Sequence, residues 1–183
     1  MTTESLLILK AVARQDNDAF SALVRMHQGK IRAYLVRLCK SYDLADDIAQ
    51  ETFLTAFRKL HSFNGTGNFS GWLFSIAHNC FLQHLRKVKR RLEVTEQFGT
   101  EQEIYAKKYE EISTEQMDME QALTTLKPDE TATITLCHSF GFSHQEVSDI
   151  LAMPLGSVKS NISRGKTKLK EQLTKTQGLE KAS

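Results

Sequence analysis

Residues 143–173 carry two adjacent helical patterns separated by a short turn, and this arrangement restricts the fold more than any other feature of the chain. Ser143 and Glu146 fit a capping box, in which each side chain bonds the backbone N–H of the other residue. Apolar residues follow at helical spacing. Pro154 suits the first turn of the next helix, because its missing N–H costs nothing there. The sequence therefore predicts a helix-turn-helix.

The second of these helices, over about 154–173, has an apolar side and a polar side. Apolar or small residues recur at helical spacing at Val158, Ile162, Gly165, Leu169 and Leu173. The other side carries short hydrogen-bonding and cationic side chains, namely Ser157, Lys159, Ser160, Asn161, Ser163 and Arg164. Cationic side chains contact phosphates, and polar side chains form hydrogen bonds with base edges. The polar side of this helix therefore suits a DNA groove. An ordinary two-helix corner of a helical domain is the alternative interpretation.

The net charge of +2 conceals two basic segments and an acidic one. Residues 86–91 hold five cations and no acid, and residues 159–175 hold six cations against one acid. Residues 93–120 hold nine acids against two lysines. Basic segments of this kind favour phosphate contact, with a solvated helix end as the alternative for residues 86–91.

The periodicity along the rest of the chain is helical and strand signals are weak, so we expect an all-α protein with two small helical domains joined by an acidic linker. We expect helices over about 4–14, 16–26, 29–40, 43–60 and 71–92, a loop over 61–71, and a later helix that Pro128 begins and Gly141 ends. The predicted boundaries are a first domain over 1–92, a linker over 93–116, a second domain over 117–176 and a tail over 177–183.

The apolar segments predict where the protein is located, and the cysteine spacing predicts whether disulfides form. No apolar run approaches the length of a membrane span, and the N-terminus lacks the basic start and cleavage site of a signal peptide, so we expect a cytoplasmic protein. Cys39, Cys80 and Cys137 are far apart and form no CxxC pair. We expect buried thiols rather than a disulfide framework.

The helix over 43–60 has an acidic side, opposite Ile48, Ala56 and Leu60. That side carries Asp43, Asp46, Asp47, Gln50 and Glu51. Like charges at this spacing repel one another, so a basic partner would relieve a cost, whereas a solvated helix face is the alternative. We expect Phe53 and Phe57 to lie in the core rather than at a contact.

Aromatic, amide and cationic side chains are concentrated over 63–90. The loop carries Phe63, Asn64, Asn68, Phe69, Ser70 and Trp72, and the helix after it carries His78, Asn79, Gln83, Arg86, Lys87 and Arg90 on turns that we expect to be accessible. We expect Phe74, Ile76, Phe81 and part of Trp72 to lie in the core.

Two halves of the chain together resemble a known family. DLADDIAQETFLTAFRKLHSF and FSGWLFSIAHNCFLQHLRKVKRR resemble the second conserved region of bacterial sigma factors, and LTTLKPDETATITLCHSFGFSHQEVSDILAMPLGSVKSNISRGKTKLKEQL resembles their fourth region. The size of the chain and the acidic linker are similar to the extracytoplasmic-function (ECF) group. The resemblance implies an alternative sigma factor that directs promoter recognition, DNA melting and transcription initiation for a stress or envelope-type regulon, under the control of an anti-sigma factor.

The resemblance also implies partners and a role for each segment. The acidic side of the helix over 43–60 would bind the clamp helices of the largest polymerase subunit, and the flap region of core RNA polymerase and promoter DNA are further partners. The loop and helix residues over 63–90 would recognise and melt the minus-ten element. A pocket that captures a flipped base recovers about 1–3 kcal/mol, against about 1.4 kcal/mol for opening one base step. No cofactor, catalytic residue or membrane insertion is expected.

For the minus-thirty-five element, the resemblance assigns the polar side of the helix after Pro154. The residues concerned are Gly156, Ser157, Lys159, Ser160, Asn161, Ser163, Arg164 and Lys166. Asn161 and Ser163 depart from the family's motif, which leaves the base preference there open.

Two other functions remain as alternatives. A zinc enzyme could use His78, Cys80 and His84, but a further ligand and a water-activating carboxylate are not apparent nearby. A one-component regulator would use only the helix-turn-helix, and it would leave the acidic helix and the aromatic loop without a role. Binding to core RNA polymerase distinguishes the regulator from a sigma factor.

Overall fold

The computed structural model describes residues 2–63, 68–94 and 122–180, and the regular structure in these ranges is helical. The chain divides into two compact units, Met1–Thr100 and Glu101–Ser183. Most of the predicted acidic linker lies outside the described residues, as does Asn64 from the predicted DNA-melting set.

Within its described residues, the first unit contains four α-helices, and each has a side-chain cap at its start. They are α1 (Thr3–Arg14), α2 (Asn17–Cys39), α3 (Tyr42–Lys59) and α4 (Phe69–Val94), with a 3-10 turn over Leu60–Ser62 after α3. The Asp16 carboxylate accepts hydrogen bonds from two N–H groups at the start of α2, and Ser41 accepts one at the start of α3. Asn68 accepts from the N–H groups of Ser70 and Gly71 at 3.0 and 3.4 Å, so α4 begins at Phe69.

The prediction of separate helices over 16–26 and 29–40 is wrong, because α2 is continuous through Gly29. A glycine within a helix costs about 1 kcal/mol relative to alanine. The buried row that contains Leu23, His27, Ile31 and Leu38 runs along the whole of α2, and its burial outweighs that cost. The helix after the loop is also longer than predicted, since α4 runs from Phe69 to Val94.

The core of the first unit lies where α2, α3 and α4 meet. Tyr34 and Leu35 of α2 are fully buried, and Phe74 and Phe81 of α4 are nearly so. The rings of Tyr34 and Phe74 meet edge to face, with their centroids 5.3 Å apart. The expected burial of Phe74, Ile76 and Phe81 is confirmed.

The second unit contains the predicted helix-turn-helix. Over residues 128–180 the helices are α5 (Pro128–Ile134), α6 (His144–Leu151) and α7 (Leu155–Glu180), and a π-helical turn over Thr135–Ser139 extends α5. The capping box is confirmed, with the N–H of Ser143 donating to Glu146 at 2.8 Å and the N–H of Glu146 donating to Ser143 at 3.2 Å.

The turn between α6 and α7 fixes the geometry of the motif. Ala152 adopts a left-handed conformation with φ of 49°, which ends α6. The carbonyl of Pro154 accepts from the N–H groups of Ser157 and Val158, so Pro154 precedes α7 rather than lying in its first turn. Val147 of α6 and Val158 of α7 are fully buried, which holds the two helices together.

Candidate nucleic-acid interface

The first half of α7 presents a polar and cationic face to solvent. Gly156, Lys159, Ser160, Ser163, Arg164 and Lys166 are exposed, and Ser157 is half-buried. The opposite side of the helix packs inward through Val158 and Ile162. The two-sided pattern predicted for this helix is therefore present, and a cationic helix face with small polar residues suits a DNA groove.

Asn161 is the exception on this helix, and the expectation that it lies on the open face is wrong. Its side chain is only 6% exposed. The Nδ2 group donates to Sδ of Met153 at 3.3 Å, and Oδ1 accepts from Nη2 of Arg164 at 2.6 Å. Because the turn residue Met153 packs beside this position, Asn161 is enclosed rather than presented to a partner.

The surroundings of α7 are electropositive. Burial lowers the pKa of His138, and the nearby charges of Lys166 and His144 lower it further. The contribution of Lys166 to this lowered pKa has the sign expected beside a cation, and a cationic neighbourhood of this kind also attracts phosphate.

A second exposed row lies along α4 in the first unit. Asn79, Gln83, Arg86, Lys87 and Arg90 are all exposed and recur at spacings that place them on one side of the helix. Burial lowers the pKa of His84, and the charges of Lys87 and Arg91 lower it further. The row therefore combines amide groups with a cationic helix end.

His78 does not belong to this row, and the expectation that it is accessible is wrong. Its ring is buried, and Nδ1 lies 3.0 Å from the hydroxyl of Tyr34. The position falls on the core side of α4, between the buried residues Phe74 and Phe81.

The aromatic residues of the loop form a cluster rather than an exposed surface. Phe63 and Phe69 are buried, and Trp72 is half-buried. The ring centroids of the three residues lie 5.3 to 5.4 Å apart, and the ring of Phe69 also lies 5.5 Å from that of His27 on α2. Phe63 and Phe69, which the resemblance assigns to the DNA-melting set, are core residues that anchor the two ends of the loop to the helices.

Asn68 and Ser70 lie at the start of α4. Asn68 is exposed, and its side-chain oxygen caps the helix. Ser70 lies half-buried in the first turn. Both remain close to the aromatic cluster, but the oxygen of Asn68 already has backbone partners.

The acidic side predicted on α3 is present. Asp43, Asp47, Gln50 and Glu51 are exposed, and Asp46 is half-exposed, opposite the buried Ile48 and Ala56. Arg32 of α2 donates to Asp46 at 2.5 and 3.1 Å, and its guanidinium lies 5.3 Å from the centre of the Tyr42 ring. This hydrogen bond is the main reason that the pKa of Asp46 lies below its ordinary value. The charges on this side are thus partly balanced within the unit.

An open groove of about 850 Å³ lies beside the acidic side, between α2 and α3. Its walls include Phe20, Val24, Phe53, Leu54 and Phe57, and its polar rim includes Arg32, Asp46 and Gln50. Phe57 is 49% exposed, so the expectation that it lies in the core is wrong. Sequence patterning missed the groove because the apolar positions of α3 cover more of the helix than the core can bury.

Nothing in the described ranges supports the zinc alternative, because no group of three or more histidine, cysteine, aspartate or glutamate side chains is placed to hold a metal ion there. The three cysteines are free thiols. Cys80 is buried, and Cys39 is half-buried with its pKa raised to about 12 by burial. Within the described helices, none is long and apolar enough to cross a membrane.

Comparison with known families matches both units. Residues 23–91 match the family model for Sigma-70 region 2, and residues 116–169 match that for Sigma-70, region 4.

Individual relatives show the same similarity over most of the chain. The chain is 32% identical over 161 residues to the ECF RNA polymerase sigma factor SigE of Mycolicibacterium smegmatis, and this match covers 86% of this chain and 62% of SigE. It is 32% identical over 179 residues to the ECF RNA polymerase sigma factor SigW of Bacillus subtilis, and this match covers 90% of this chain and 94% of SigW. Among solved structures, the sigma factor RpoE of Bartonella quintana, in complex with the anti-sigma factor NepR, is 28% identical with a TM-score of 0.74 and covers 85% of this chain and 96% of RpoE.

Proposed function

Because this chain belongs to the sigma-70 family, in the group of ECF RNA polymerase sigma factors, we propose that it is an alternative sigma factor that binds core RNA polymerase and directs promoter recognition, DNA melting and transcription initiation. The catalytic residues of RNA synthesis belong to the polymerase in this proposal, and the chain acts in the cytoplasm. The regulon is of a stress or envelope type.

The exposed row on α4 is the observation that carries the proposal. A helix-turn-helix occurs in many DNA-binding regulators, but a second surface of amides and cations on a separate unit supports a second DNA contact. Asn79 and Gln83 can bond base edges, while Arg86, Lys87 and Arg90 can neutralise phosphates. We assign this row to the minus-ten element.

The aromatic cluster has a supporting role in melting. Phe63 and Phe69 are buried, so they hold the two ends of the loop rather than stack on a base in the free protein. Trp72 and Ser70 are both half-buried, so these two remain candidates for contact with unpaired DNA, as do Asn68 and Asn64. Buried anchors at both ends of the loop lower the entropic cost of capturing a flipped base.

The α2–α3 groove and the acidic side of α3 form the proposed polymerase-binding surface. The acidic side of α3 supplies Asp43, Asp47, Gln50 and Glu51, and the groove supplies exposed apolar side chains at Leu54 and Phe57. A basic amphipathic helix fits both features, because the apolar groove provides affinity and the acidic side provides orientation. The clamp helices of the largest polymerase subunit are the proposed occupant, and the flap region is proposed to contact the second unit.

The exposed face of α7 is the proposed reader of the minus-thirty-five element. Lys159, Arg164 and Lys166 supply cations, and Ser160 and Ser163 supply hydroxyls on the same face. Gly156 leaves the start of this face open, because a Cβ atom there would meet nothing within 4 Å. An anti-sigma factor is proposed to restrain the protein, since the relative RpoE has been solved in complex with one.

In vitro transcription tests the proposal directly. The full chain is combined with purified core RNA polymerase, genomic fragments serve as templates, and the transcription start sites are mapped. We expect a set of start sites that share minus-ten and minus-thirty-five sequences. A chain that fails to co-purify with core polymerase, or that yields no specific start, would refute the proposal.

A paired variant makes the test specific to α4. Changing Arg86 and Arg90 to alanine removes two proposed phosphate contacts, so we expect promoter binding to weaken. The slope of log K against log salt concentration should become shallower by the equivalent of about two phosphate contacts. Lys10 and Lys30 are exposed cations on α1 and α2, and their double alanine variant is the matched control. If the control loses as much activity as the Arg86/Arg90 variant, the assignment of α4 is wrong.

A further inference from the structure

Arg164, on the exposed face of α7, is held by two partners. Its Nη2 donates to Oδ1 of Asn161 at 2.6 Å, and its Nε lies 3.7 Å from Oε1 of Glu130. The side chain is nevertheless 62% exposed. A guanidinium has five N–H donors in a fixed plane, so contacts at two of its nitrogens define the direction of the group while its outer part stays open.

Both partners of Arg164 are themselves fixed. Glu130 is only 3% exposed, and its Oε2 accepts from Nζ of Lys168 at 2.7 Å and from the N–H of Lys127 at 3.0 Å. Asn161 is buried and donates to Met153 in the turn of the helix-turn-helix. The contacts around Arg164 therefore connect α5, the turn and α7.

The electrostatics of Glu130 agree with this arrangement. Burial acts to raise its pKa, but the hydrogen bonds from Lys168 and Lys127 and the charges of Lys168 and Arg164 outweigh burial and lower it. Glu130 is thus an ionised carboxylate beneath α7, and a buried charge of this kind is costly unless it is paired.

We propose that Asn161 and Glu130 are positioning residues that orient the guanidinium of Arg164 for hydrogen bonding to one base pair of the minus-thirty-five element. This inference rests on the proposed function of α7 and assigns Asn161 a role other than base reading. An arginine fixed before binding loses less side-chain entropy on DNA, and it discriminates between bases more sharply than a freely rotating one.

A double-mutant cycle tests the inference in the complete holoenzyme. Core polymerase with the wild-type chain, Asn161→Ala, Arg164→Ala or both is used to select from a promoter library randomised across the minus-thirty-five element of a mapped start site. We expect Arg164→Ala to lose the preference at one base pair, and Asn161→Ala to weaken the preference at that same base pair by about three- to tenfold. In the Arg164→Ala background, the Asn161 substitution should change selection by less than about twofold.

Companion variants separate positioning from folding. Met153→Leu keeps the apolar volume but removes the sulfur acceptor of Asn161, so it should weaken the same preference with little change in thermal unfolding. Thr167→Ala, one turn further along α7, should leave the preference unchanged.

Three outcomes would overturn the inference. Asn161→Ala could change the preference at a different base pair, which would make Asn161 a base reader. The effects of the two substitutions could be additive, which would make them independent. The wild-type holoenzyme could show no preference in the library, in which case the proposed function of α7 fails and the inference fails with it.

Discussion

The hydroxyl of Tyr34 lies 3.0 Å from Nδ1 of His78, in the core between α2 and α4. Both side chains are buried, so the bond satisfies polar groups that water does not reach. We expect Tyr34→Phe to lower the free energy of unfolding of the first unit by about 1–3 kcal/mol, because it removes a buried partner. Urea unfolding followed by the fluorescence of Trp72, the single tryptophan of the chain, measures the change.

Tyr42→Phe is the matched control for that experiment. Tyr42 is exposed at the start of α3, and its ring rather than its hydroxyl faces Arg32. The control should change stability by less than about 0.5 kcal/mol. Equal losses from the two variants would contradict a specific role for the bond to His78.

Phe57 is expected to contribute to polymerase binding. It is half-exposed in the α2–α3 groove, and its ring lies 5.2 Å from that of the buried Phe20, so Phe57→Ser removes apolar area that a partner would cover as well as some packing within the unit. We expect core polymerase to bind the variant about tenfold or more weakly, as for an interface hot spot. Met26→Ser, at a similarly exposed apolar residue that does not line the groove, is the control in the same binding titration. Equal weakening by both variants would remove the groove from the proposed surface.

Phe69 is expected to act through the fold rather than through a base. It is buried against Phe63, Trp72 and His27, so Phe69→Ala should destabilise the first unit by about 3–5 kcal/mol. Transcription should then fall to a similar extent on duplex and pre-melted templates at a temperature where the variant is partly unfolded. Rescue on the pre-melted template alone would instead support direct capture of a base by Phe69.

The sequence pattern predicted the helices well where a cap and an apolar stripe coincide. Ser143 with Glu146, and the row through Val158 and Ile162, placed the helix-turn-helix correctly because local hydrogen bonds and helical periodicity determine both. The pattern failed at Gly29, an exposed residue that weakens helices, because the buried row that runs past it along α2 depends on packing against the other helices of the unit. Tertiary packing decides such positions, and it is not visible in a local window.

The candidate site was less predictable than the fold. A sequence pattern treats a polar residue such as Asn161 or His78 as a potential ligand contact, yet both side chains are buried. His78 is hydrogen-bonded to Tyr34, which is distant along the chain, and Asn161 is hydrogen-bonded to Met153 in the preceding turn. The opposite error occurred at Phe57, an aromatic residue that was predicted to lie in the core but is half-exposed. The position of the exposed cations on α4 and α7 was predicted because long charged side chains are seldom buried.

Glu130 should make the stability of the second unit depend on pH. Its pKa in the folded protein lies below the ordinary value of 4.5, so the folded state favours the ionised form. The stabilisation is therefore present above about pH 4.5 and is lost as the pH falls through the lower pKa of the folded state. Hydrogen exchange of α7 amides between pH 3 and 6 (roughly the window in which a glutamate titrates) should show this loss, and Glu130→Gln should reduce it. Glu171→Gln, at an exposed glutamate of the same helix, should leave the pH dependence unchanged, and a Glu130→Gln profile identical to wild type would contradict the pairing.

Gly165 of α7 packs directly against Ile134 of α5. A Cβ atom at this position would lie 2.3 Å from Cδ1 of Ile134, and Ile134 is buried, so Gly165→Ala should destabilise the second unit by about 1–3 kcal/mol through overpacking. Ile134→Val removes the clashing methyl group, and the double variant should recover part of the loss that Gly165→Ala causes alone. Gly156→Ala is the matched control, because a Cβ there meets nothing within 4 Å and alanine favours the helix by about 1 kcal/mol. Thermal unfolding followed by circular dichroism compares the four variants with wild type, and a Gly165→Ala protein as stable as Gly156→Ala would show that the two helices do not pack this closely in solution.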